Sequence, residues 1–178
     1  MHTKPTLILI ASQMMRLYQN SFKIMIIYIG ADHRGFPIKE TLKQYLKDSG
    51  YTVVDLGAET LIPDDDYPDY AMKVAEKVNV DPDGSKGVLI CGSGVGVDVV
   101  ANKYPRVRSS LVLSPDHAYL SRTDDDANVL CLASELIDET QAKIILASWL
   151  QTPFSRDVRH MRRIAKIRDV EERVKKLI

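Results

Sequence analysis

Short apolar runs alternate along the chain with segments in which apolar residues recur every three or four positions. The runs, rich in Val, Ile and Leu, are typical of buried strands, whereas the periodic segments are typical of amphipathic helices. The predicted strands cover residues 26–29, 51–56, 87–91, 107–113 and 128–133. The predicted helices begin at Pro37, Tyr70, Val97, Pro115, after an N-cap at Asp138, and at about Val158. Strands that are each followed by a helix predict an α/β fold with a parallel sheet covered on both faces.

The most reactive residue types cluster where the first and third strands end. The first strand runs into Asp32 and His33, and the third ends at Cys91, followed by a glycine-rich loop. In open parallel sheets, ligands bind beyond the carboxyl ends of the strands, at the point where the strand order reverses. Two orders are common, 3-2-1-4-5 and 2-1-3-4-5, and the second places that crevice between strands one and three. The position of these loops therefore favours a site at this crevice.

Composition narrows the class of protein. The chain has 178 residues, enough for one domain with a single core, and its 45% hydrophobic and 27% charged residues are typical of globular proteins. Lys and Arg number 24, as do Asp and Glu, which argues against a broad basic surface for nucleic acid. No apolar run approaches the roughly 20 residues of a membrane span. Two cysteines are too few for a disulfide framework and favour a reducing, cytoplasmic compartment.

The first 24 residues do not fit the repeating pattern. Their apolar run, Leu7–Ala11, is shorter than that of a signal peptide, and Gln13 and Arg16 follow it closely. We expect residues 1–24 to be a dispensable extension. Residues 25–178 are then expected to form one domain that ends in a helical tail from about residue 156.

The loop after the third strand has glycines at alternate positions. Gly92, Gly94 and Gly96 follow a strand and open a helix, so that backbone N–H groups can converge there on an anion. A dinucleotide-binding fingerprint would need glycine where Val97 stands, and the loop has no Gly-Lys pair of an NTP-binding loop. A low-molecular-weight tyrosine phosphatase would need arginine at Val97. The loop is therefore an anion site of another kind, or a tight turn that simply requires glycine.

Cys91 lies directly before this loop. A thiolate is favoured next to a helix N-terminus, where it can act as a nucleophile or as a general base. Cys131 lies inside the fifth strand, where a cysteine is expected to pack as a small apolar residue. The sequence therefore predicts one reactive thiol and one structural thiol.

A basic cluster near the end of the chain suits an anion as well. Arg159 and Arg163 are four residues apart and share a helical face, where two guanidinium groups can bind a phosphate dianion. The alternative is a solvated basic helix without a ligand.

Six short motifs follow one another in a characteristic order between about Met25 and Ile167. They are GADHRG at 30–35, DYPDY at 66–70, ICGSGVG at 90–96, ANK at 101–103, ANVL at 127–130 and RHMRR at 159–163. Together they resemble ribose-5-phosphate isomerase B, the type-B sugar-phosphate isomerase family that includes the galactose-6-phosphate isomerase subunits. The cysteine-containing glycine loop and the arginine–histidine cluster are specific in combination.

The resemblance implies a three-layer Rossmann-like sandwich, with a five-stranded parallel sheet in the order 2-1-3-4-5 and a C-terminal helical tail. It implies interconversion of ribose 5-phosphate and ribulose 5-phosphate through an enediolate, without a metal or an organic cofactor. Cys91 matches the base that moves the proton, and Ser93 matches a group that stabilises the enediolate. The residues matched to substrate binding are Asp32, His33, Tyr67, Gly92, Gly94, Val95, Gly96, Arg159 and Arg163.

The resemblance also implies partners. Members of the family are homodimers or dimers of dimers with an active site shared between subunits, and they need neither nucleic acid nor a membrane. The apolar stripe of the tail, which has no evident place in one five-stranded domain, is then expected to be a dimer element. Its members are Met161, Ile164, Ile167, Val170 and Val174.

One stretch departs from the family pattern. Asp124 and Asp125 stand where the family usually carries a histidine, thought to assist ring opening, and an asparagine. Glu135 stands where a basic residue is common. Asp124 is therefore the candidate for ring opening and Asp125 for substrate binding, with His117 as a second ring-opening candidate or a plain surface residue.

This departure leaves alternatives open. The substrate is ribose 5-phosphate or a hexose 6-phosphate, or the chain is a weakened relative that only binds sugar phosphate. A flavin- or nucleotide-binding module would leave Cys91 and the paired arginines without a role. The aspartate runs at 64–66 and 124–126 could attract a hard cation but lack the alternating spacing of a calcium loop, so solvated charges are expected there.

Overall fold

The computed structural model describes residues 25–177, which form a five-stranded parallel sheet flanked by six helices. The strands are β1 (Ile26–Ala31), β2 (Thr52–Asp55), β3 (Ser85–Cys91), β4 (Ser109–Leu111) and β5 (Val129–Ala133). The helices are α1 (Phe36–Asp48), α2 (Tyr67–Val80), α3 (Val95–Ala101), α4 (Pro115–Thr123), α5 (Glu139–Gln151) and α6 (Val158–Lys175). The α/β class predicted from the sequence is confirmed. The proposed extension, residues 1–24, lies outside the described residues, and the boundaries of the 25–178 domain stay a prediction.

The strand order is β2-β1-β3-β5-β4, so the expected order 2-1-3-4-5 needs one correction: β5 lies inside β4. All five residues of β5 are buried, as expected of a strand with helices on both faces, whereas the three residues of β4 are each partly exposed. The short segment Ser-Ser-Leu of β4 exposes less apolar surface to solvent at a sheet edge than the wholly apolar β5 would. Burial on both faces therefore decides which strand is central.

The pairing of β1 with β3 sets the position of the site. Gly30 lies opposite Leu89 and Ala31 opposite Ile90. The strands are parallel and in this register, so Asp32 and Cys91 leave the sheet side by side at its carboxyl edge. The strand order reverses between β1 and β3, which confirms the crevice predicted from the sequence.

Helices cover both faces of the sheet with apolar side chains. On one face, α1, α4 and α5 pack against the sheet through Leu42, Ala118 and Trp149. On the other face, α2 and α3 do so through Val74 and Val97. These two clusters hold the carboxyl ends of β1 and β3 rigidly, which is what a precise site requires.

Two helices begin at least two residues earlier than predicted. α2 begins at Tyr67 rather than Tyr70, and α3 begins at Val95 rather than Val97. Pro68 lies in the first turn of α2, where its missing N–H costs no intrahelical hydrogen bond. The earlier start places Tyr67 at the end of α2 that faces the crevice.

One buried side chain of α1 carries a charge. Lys39 is fully buried, and its Nζ donates to Asp55 Oδ2 at 2.6 Å, to Glu40 Oε1 at 2.7 Å and to the Ala58 carbonyl at 3.0 Å. An ammonium group has three donors, and all three are used. Lys39 therefore ties the end of β2, and the loop that follows it, to α1.

The C-terminal helix α6 is anchored at its start and exposed beyond it. His160 and Ile164 are buried, whereas the other apolar residues of its stripe are exposed. The exposed members are Met161, Ile167, Val170 and Val174. A largely apolar groove of about 720 Å³ runs between this part of α6 and the segment around Tyr104–Ser110.

No helix among residues 25–177 is both long enough and apolar enough to cross a bilayer.

Candidate active site

A pocket of about 720 Å³ opens at the carboxyl ends of β1 and β3. Three chain segments form it: the loop after β1, the segment that leads into α2, and the glycine loop after β3. Its lining residues are Asp32, His33, Arg34, Asp64, Asp65, Tyr67, Cys91, Gly92, Ser93, Val95 and Gly96. The structure thus brings together most of the residues that the sequence singled out. Asp124, Asp125, Arg159 and Arg163 lie outside this lining.

Cys91 is the last residue of β3 and is only 4% exposed. The Gly94 N–H donates to its Sγ across 3.1 Å, an arrangement that stabilises negative charge on sulfur. Gly94 has a positive φ of 73°, and a Cβ there would collide with the Leu111 side chain and the Leu132 backbone. Glycine is therefore required at 94 to bring this N–H onto the thiol.

Ser93 and Val95 form the outer part of the loop. The Ser93 side chain is exposed to the pocket mouth, and its Oγ accepts a bond of 3.4 Å from the Val95 N–H. The Ser93 N–H has no hydrogen-bond partner among residues 25–177, and the first N–H groups of a helix such as α3 lack acceptors by position. The loop therefore offers donors to an oxyanion that forms beside Cys91.

Gly96 allows the aromatic wall of the pocket to lie close to the loop. A Cβ at 96 would fall 2.6 Å from Cζ of the Tyr67 ring, a distance that real Cβ atoms do not adopt. The ring of Tyr67 therefore packs directly on the backbone of the glycine loop.

Asp32 is buried at 5% exposure and begins the loop after β1. Its Oδ1 accepts the N–H groups of Arg34 at 3.0 Å and Gly35 at 2.9 Å, so it also shapes the turn into α1. Burial raises the pKa of Asp32, and the bond from Gly35 only partly opposes that effect. Asp32 thus has a structural task as well as a place in the pocket.

His33 is paired with a residue that sequence analysis did not select. Asp65 Oδ1 accepts the main-chain N–H of His33 at 2.7 Å and lies 2.8 Å from its ring Nδ1. The hydrogen bond that its ring donates to Asp65 raises the pKa of His33. Burial alone would raise the pKa of Asp65, but the hydrogen bonds from His33, with a smaller contribution from Tyr70, outweigh burial and lower that pKa. The pair favours a protonated ring next to a carboxylate.

Arg34 is a second lining residue that sequence analysis passed over. Its guanidinium forms an ion pair with Glu135, and both side chains lie next to Gly92. Glu135 was noted only as a departure from the family pattern, and its N–H donates to the Gly92 carbonyl at 3.0 Å. An arginine next to a histidine gave no periodic signal, so only the fold could place it here.

Asp124 lies at the end of α4, where that helix meets α6. Its Oδ1 accepts the Thr123 hydroxyl at 2.9 Å and lies 3.6 Å from Nδ1 of the buried His160. Asp125 borders the groove beside α6. Neither carboxylate reaches the pocket of its own chain, and His117 is exposed on α4.

Arg159 and Arg163 lie in the first turns of α6, both exposed to solvent. The nearest acidic group to Arg159 is Asp157, whose Oδ2 is 3.6 Å from Nε, and Arg163 has no ion pair with another described residue. Among residues 25–177, Arg159 thus has a single ion pair and Arg163 has none, and both guanidinium groups lie outside the lining of the pocket of the same chain.

Within residues 25–177, no cluster of three or more His, Cys, Asp or Glu side chains has the arrangement of a metal site. Cys91 and Cys131 are both free thiols. Burial raises the pKa of Cys131 well above its usual value, as expected of the structural thiol predicted from the sequence.

Comparison with known proteins gives consistent matches. A family described as Ribose/Galactose Isomerase matches residues 27–167. A probable ribose-5-phosphate isomerase B of Mycoplasma genitalium is 43% identical over 141 residues, which cover 79% of this chain and 92% of that protein. The ribose-5-phosphate isomerase B of Mycobacterium tuberculosis is 35% identical over 147 residues, which cover 83% of this chain and 90% of that protein.

Solved structures of ribose-5-phosphate isomerases B also match this chain. The crystal structure of the Mycoplasma genitalium isomerase with bound ribulose 5-phosphate superposes with a TM-score of 0.81 at 42% identity, over 83% of this chain and 97% of that one. The Clostridium thermocellum ribose-5-phosphate isomerase B has a TM-score of 0.80 at 36% identity, over 84% of this chain and 99% of that one.

Proposed function

The chain belongs to the ribose/galactose isomerase family, and from that membership we propose that it interconverts ribose 5-phosphate and ribulose 5-phosphate. The observation that carries the proposal is the Cys91 thiol in the pocket, with the Gly94 N–H on its sulfur and Asp32 and His33 beside it. A thiol held in this way, next to free backbone donors, suits proton transfer at a carbon adjacent to a carbonyl.

We assign the proton transfer to Cys91. Its thiolate removes the proton from C2 of the open-chain aldose, the C1–C2 double bond forms, and O1 takes the negative charge. The proton of O2 then moves to O1. The thiol returns its proton to C1 as the C2 carbonyl forms, which regenerates the thiolate. Atoms and charges balance without an oxidant, a reductant or a cofactor.

The enediolate between these steps needs donors that are already in place. Ser93 supplies a hydroxyl at the pocket mouth and an N–H that has no partner among residues 25–177, beside the first turn of α3. Such fixed donors stabilise developing negative charge without reorganisation. Tyr67 packs on the glycine loop at Gly96 and forms an aromatic wall of the pocket.

The phosphate is assigned to Arg159 and Arg163 of a second copy of the chain. Both side chains are exposed and lie outside the pocket of their own chain. The exposed apolar stripe of α6 and the groove beside it support an assembly in which this helix is covered by another subunit. A homodimer, or a dimer of such dimers, would then complete each pocket with guanidinium groups from the partner.

Asp124 is assigned to ring opening in the same shared site. It lies 3.6 Å from His160, so a carboxylate and an imidazole are available together. Asp124→Asn is expected to slow turnover of ribose 5-phosphate on the order of a hundredfold, the scale of general acid–base catalysis. A tetrose 4-phosphate cannot close a furanose ring and should be slowed far less. Equal slowing of both sugars in initial-rate assays would assign ring opening to another group.

The substrate assignment is tested with a panel of sugar phosphates. Ribose 5-phosphate, galactose 6-phosphate and allose 6-phosphate are compared by initial rates of ketose formation. We expect the highest kcat/KM for ribose 5-phosphate. The departure at Asp124 and Asp125 favours a hexose 6-phosphate as the second candidate, and a higher kcat/KM for either hexose would select it. If none of the three sugar phosphates is turned over, the chain is a relative that only binds sugar phosphate.

We place this reaction in the cytoplasm, since both cysteines are free thiols and the proposed base is one of them.

A further inference from the structure

The three consecutive aspartates before α2 have different environments. Asp64 and Asp66 are exposed, whereas the side chain of Asp65 is only 8% exposed and turns towards the loop after β1. There a single oxygen, Oδ1, meets both the main-chain N–H of His33 and its ring Nδ1, at 2.7 and 2.8 Å. A buried carboxylate that accepts twice from one residue fixes both the backbone and the ring of that residue.

We propose that Asp65 is a positioning residue for His33: it holds the ring by Nδ1 and so presents Nε2 as a fixed N–H donor to the sugar phosphate. This inference rests on the proposed function only where it names the ligand. His33 lines the pocket, and its side chain is 30% exposed, so a ligand can reach the imidazole.

The geometry determines which ring nitrogen is available. An ionised carboxylate can only accept, so the 2.8 Å contact requires a proton on Nδ1. Nε2 has no hydrogen-bond partner among residues 25–177. A protonated ring then carries a donor on Nε2, which is the form that a phosphate or an anionic sugar oxygen needs.

The charges around His33 also favour a protonated ring. Asp65 raises the pKa of His33 by its hydrogen bond, and Asp32 on the same loop adds a favourable negative charge. Arg34 is the opposing cation among the pocket-lining residues, but its guanidinium is paired with Glu135. The remaining titratable groups of the pocket lining are Asp64, Tyr67 and Cys91. These charges therefore stabilise the imidazolium relative to the neutral ring, which is the direction of the raised pKa of His33.

The first test measures the His33 ring directly by NMR titration of the imidazole signals. The chain has four histidines, and His33→Asn identifies the signal that belongs to residue 33. The wild-type signal is expected to titrate above 6.5, the usual value for histidine. In Asp65→Asn, which keeps the shape and removes the charge, the titration should move to lower pH. Asp64→Asn removes the same charge one residue away and should move it less.

The second test is kinetic. Asp65→Asn is expected to raise KM for ribose 5-phosphate about tenfold, the scale of one charge-assisted hydrogen bond, with a smaller change in kcat. A raised pKa is lost in this variant, so the fall of kcat/KM at alkaline pH should begin at lower pH. In a His33→Asn background, Asp65→Asn should cause no further loss, because its effect passes through His33.

Several results would overturn the proposal. One is a wild-type His33 that titrates at or below 6.5, a result that needs no Asp65 variant and no activity. Another is an unchanged His33 titration in Asp65→Asn, and a third is a pair of kinetic losses that multiply in the double variant. If wild type turns over no sugar phosphate, the proposed function fails, yet the NMR titrations still decide the role of Asp65.

Discussion

Cys91→Ala should reduce kcat for isomerisation by about a thousandfold or more, within the range of general base catalysis. The C2–H bond cannot break at a useful rate once the only thiol in the pocket lining is removed. The fold should survive, because the change leaves one N–H, that of Gly94, without its sulfur acceptor. Such a loss costs about 1–3 kcal/mol. Initial rates and a thermal melt measure the two effects.

Cys131→Ala is the matched control. It removes the same atoms from a second buried cysteine, whose Sγ lies 3.0 Å from Ser109 Oγ and outside the pocket. Its melting temperature should fall by a similar amount while isomerisation continues near the wild-type rate. Full activity in Cys91→Ala would remove Cys91 from the mechanism, and equal inactivation of both variants would make the loss a packing effect.

Arg163→Ala should raise KM for ribose 5-phosphate ten- to hundredfold, which corresponds to the roughly 1.5–3 kcal/mol of a hydrogen bond to a charged group. The melting temperature should not change, because Arg163 has no ion pair with another described residue. Arg162→Ala removes an equal charge from another face of α6 and should leave KM near the wild-type value. An unchanged KM in Arg163→Ala would place the phosphate elsewhere.

A mixing experiment tests whether Arg163 serves the pocket of another subunit. Cys91→Ala and Arg163→Ala chains are unfolded and refolded together. If each pocket combines Cys91 of one chain with Arg163 of the other, half of the dimers are mixed and each has one intact pocket. With equal amounts of the two chains and substrate well below KM, the mixture should therefore regain about a quarter of the wild-type kcat/KM, as two-fold symmetry requires. Activity no greater than the mean of the two variants would mean that both residues act within one chain.

The sequence was sufficient for the parts of the site that follow from strand ends. Parallel pairing brings Asp32 and Cys91 together whatever the details of the loops, so their proximity could be predicted and is confirmed. The positions of β4 and β5 in the sheet could not be predicted in the same way. Both β4 and β5 are apolar enough to be strands, and only the polarity of Ser109 and Ser110 signalled which one is at the edge.

Side chains on irregular segments were harder to predict. Asp65 is the middle member of an aspartate run, and charge alone gave no reason to separate it from its exposed neighbours. Its role depends on how the loop after β2 returns to the loop after β1, which no local pattern records. The spacing of Arg159 and Arg163 correctly placed them on one helix, but helical periodicity does not say which pocket a helix serves.

The buried Lys39 has a consequence for how this sequence can change over time. Its ammonium is shared between Asp55, Glu40 and the Ala58 carbonyl, so loss of Asp55 removes one of the two carboxylates that balance a fully buried cation. Loss of the lysine is milder for Asp55, because Lys43 Nζ still donates to Asp55 Oδ2 at 2.8 Å. Removal of one partner of such a pair costs more than replacement of both by apolar residues. Substitutions at 39 and 55 are therefore epistatic, and loss of Asp55 alone is expected to be the more harmful of the two, because it leaves the buried cation with Glu40 as its one carboxylate partner. The same coupling reaches the pocket, since the loop anchored at Ala58 goes on to carry Asp65.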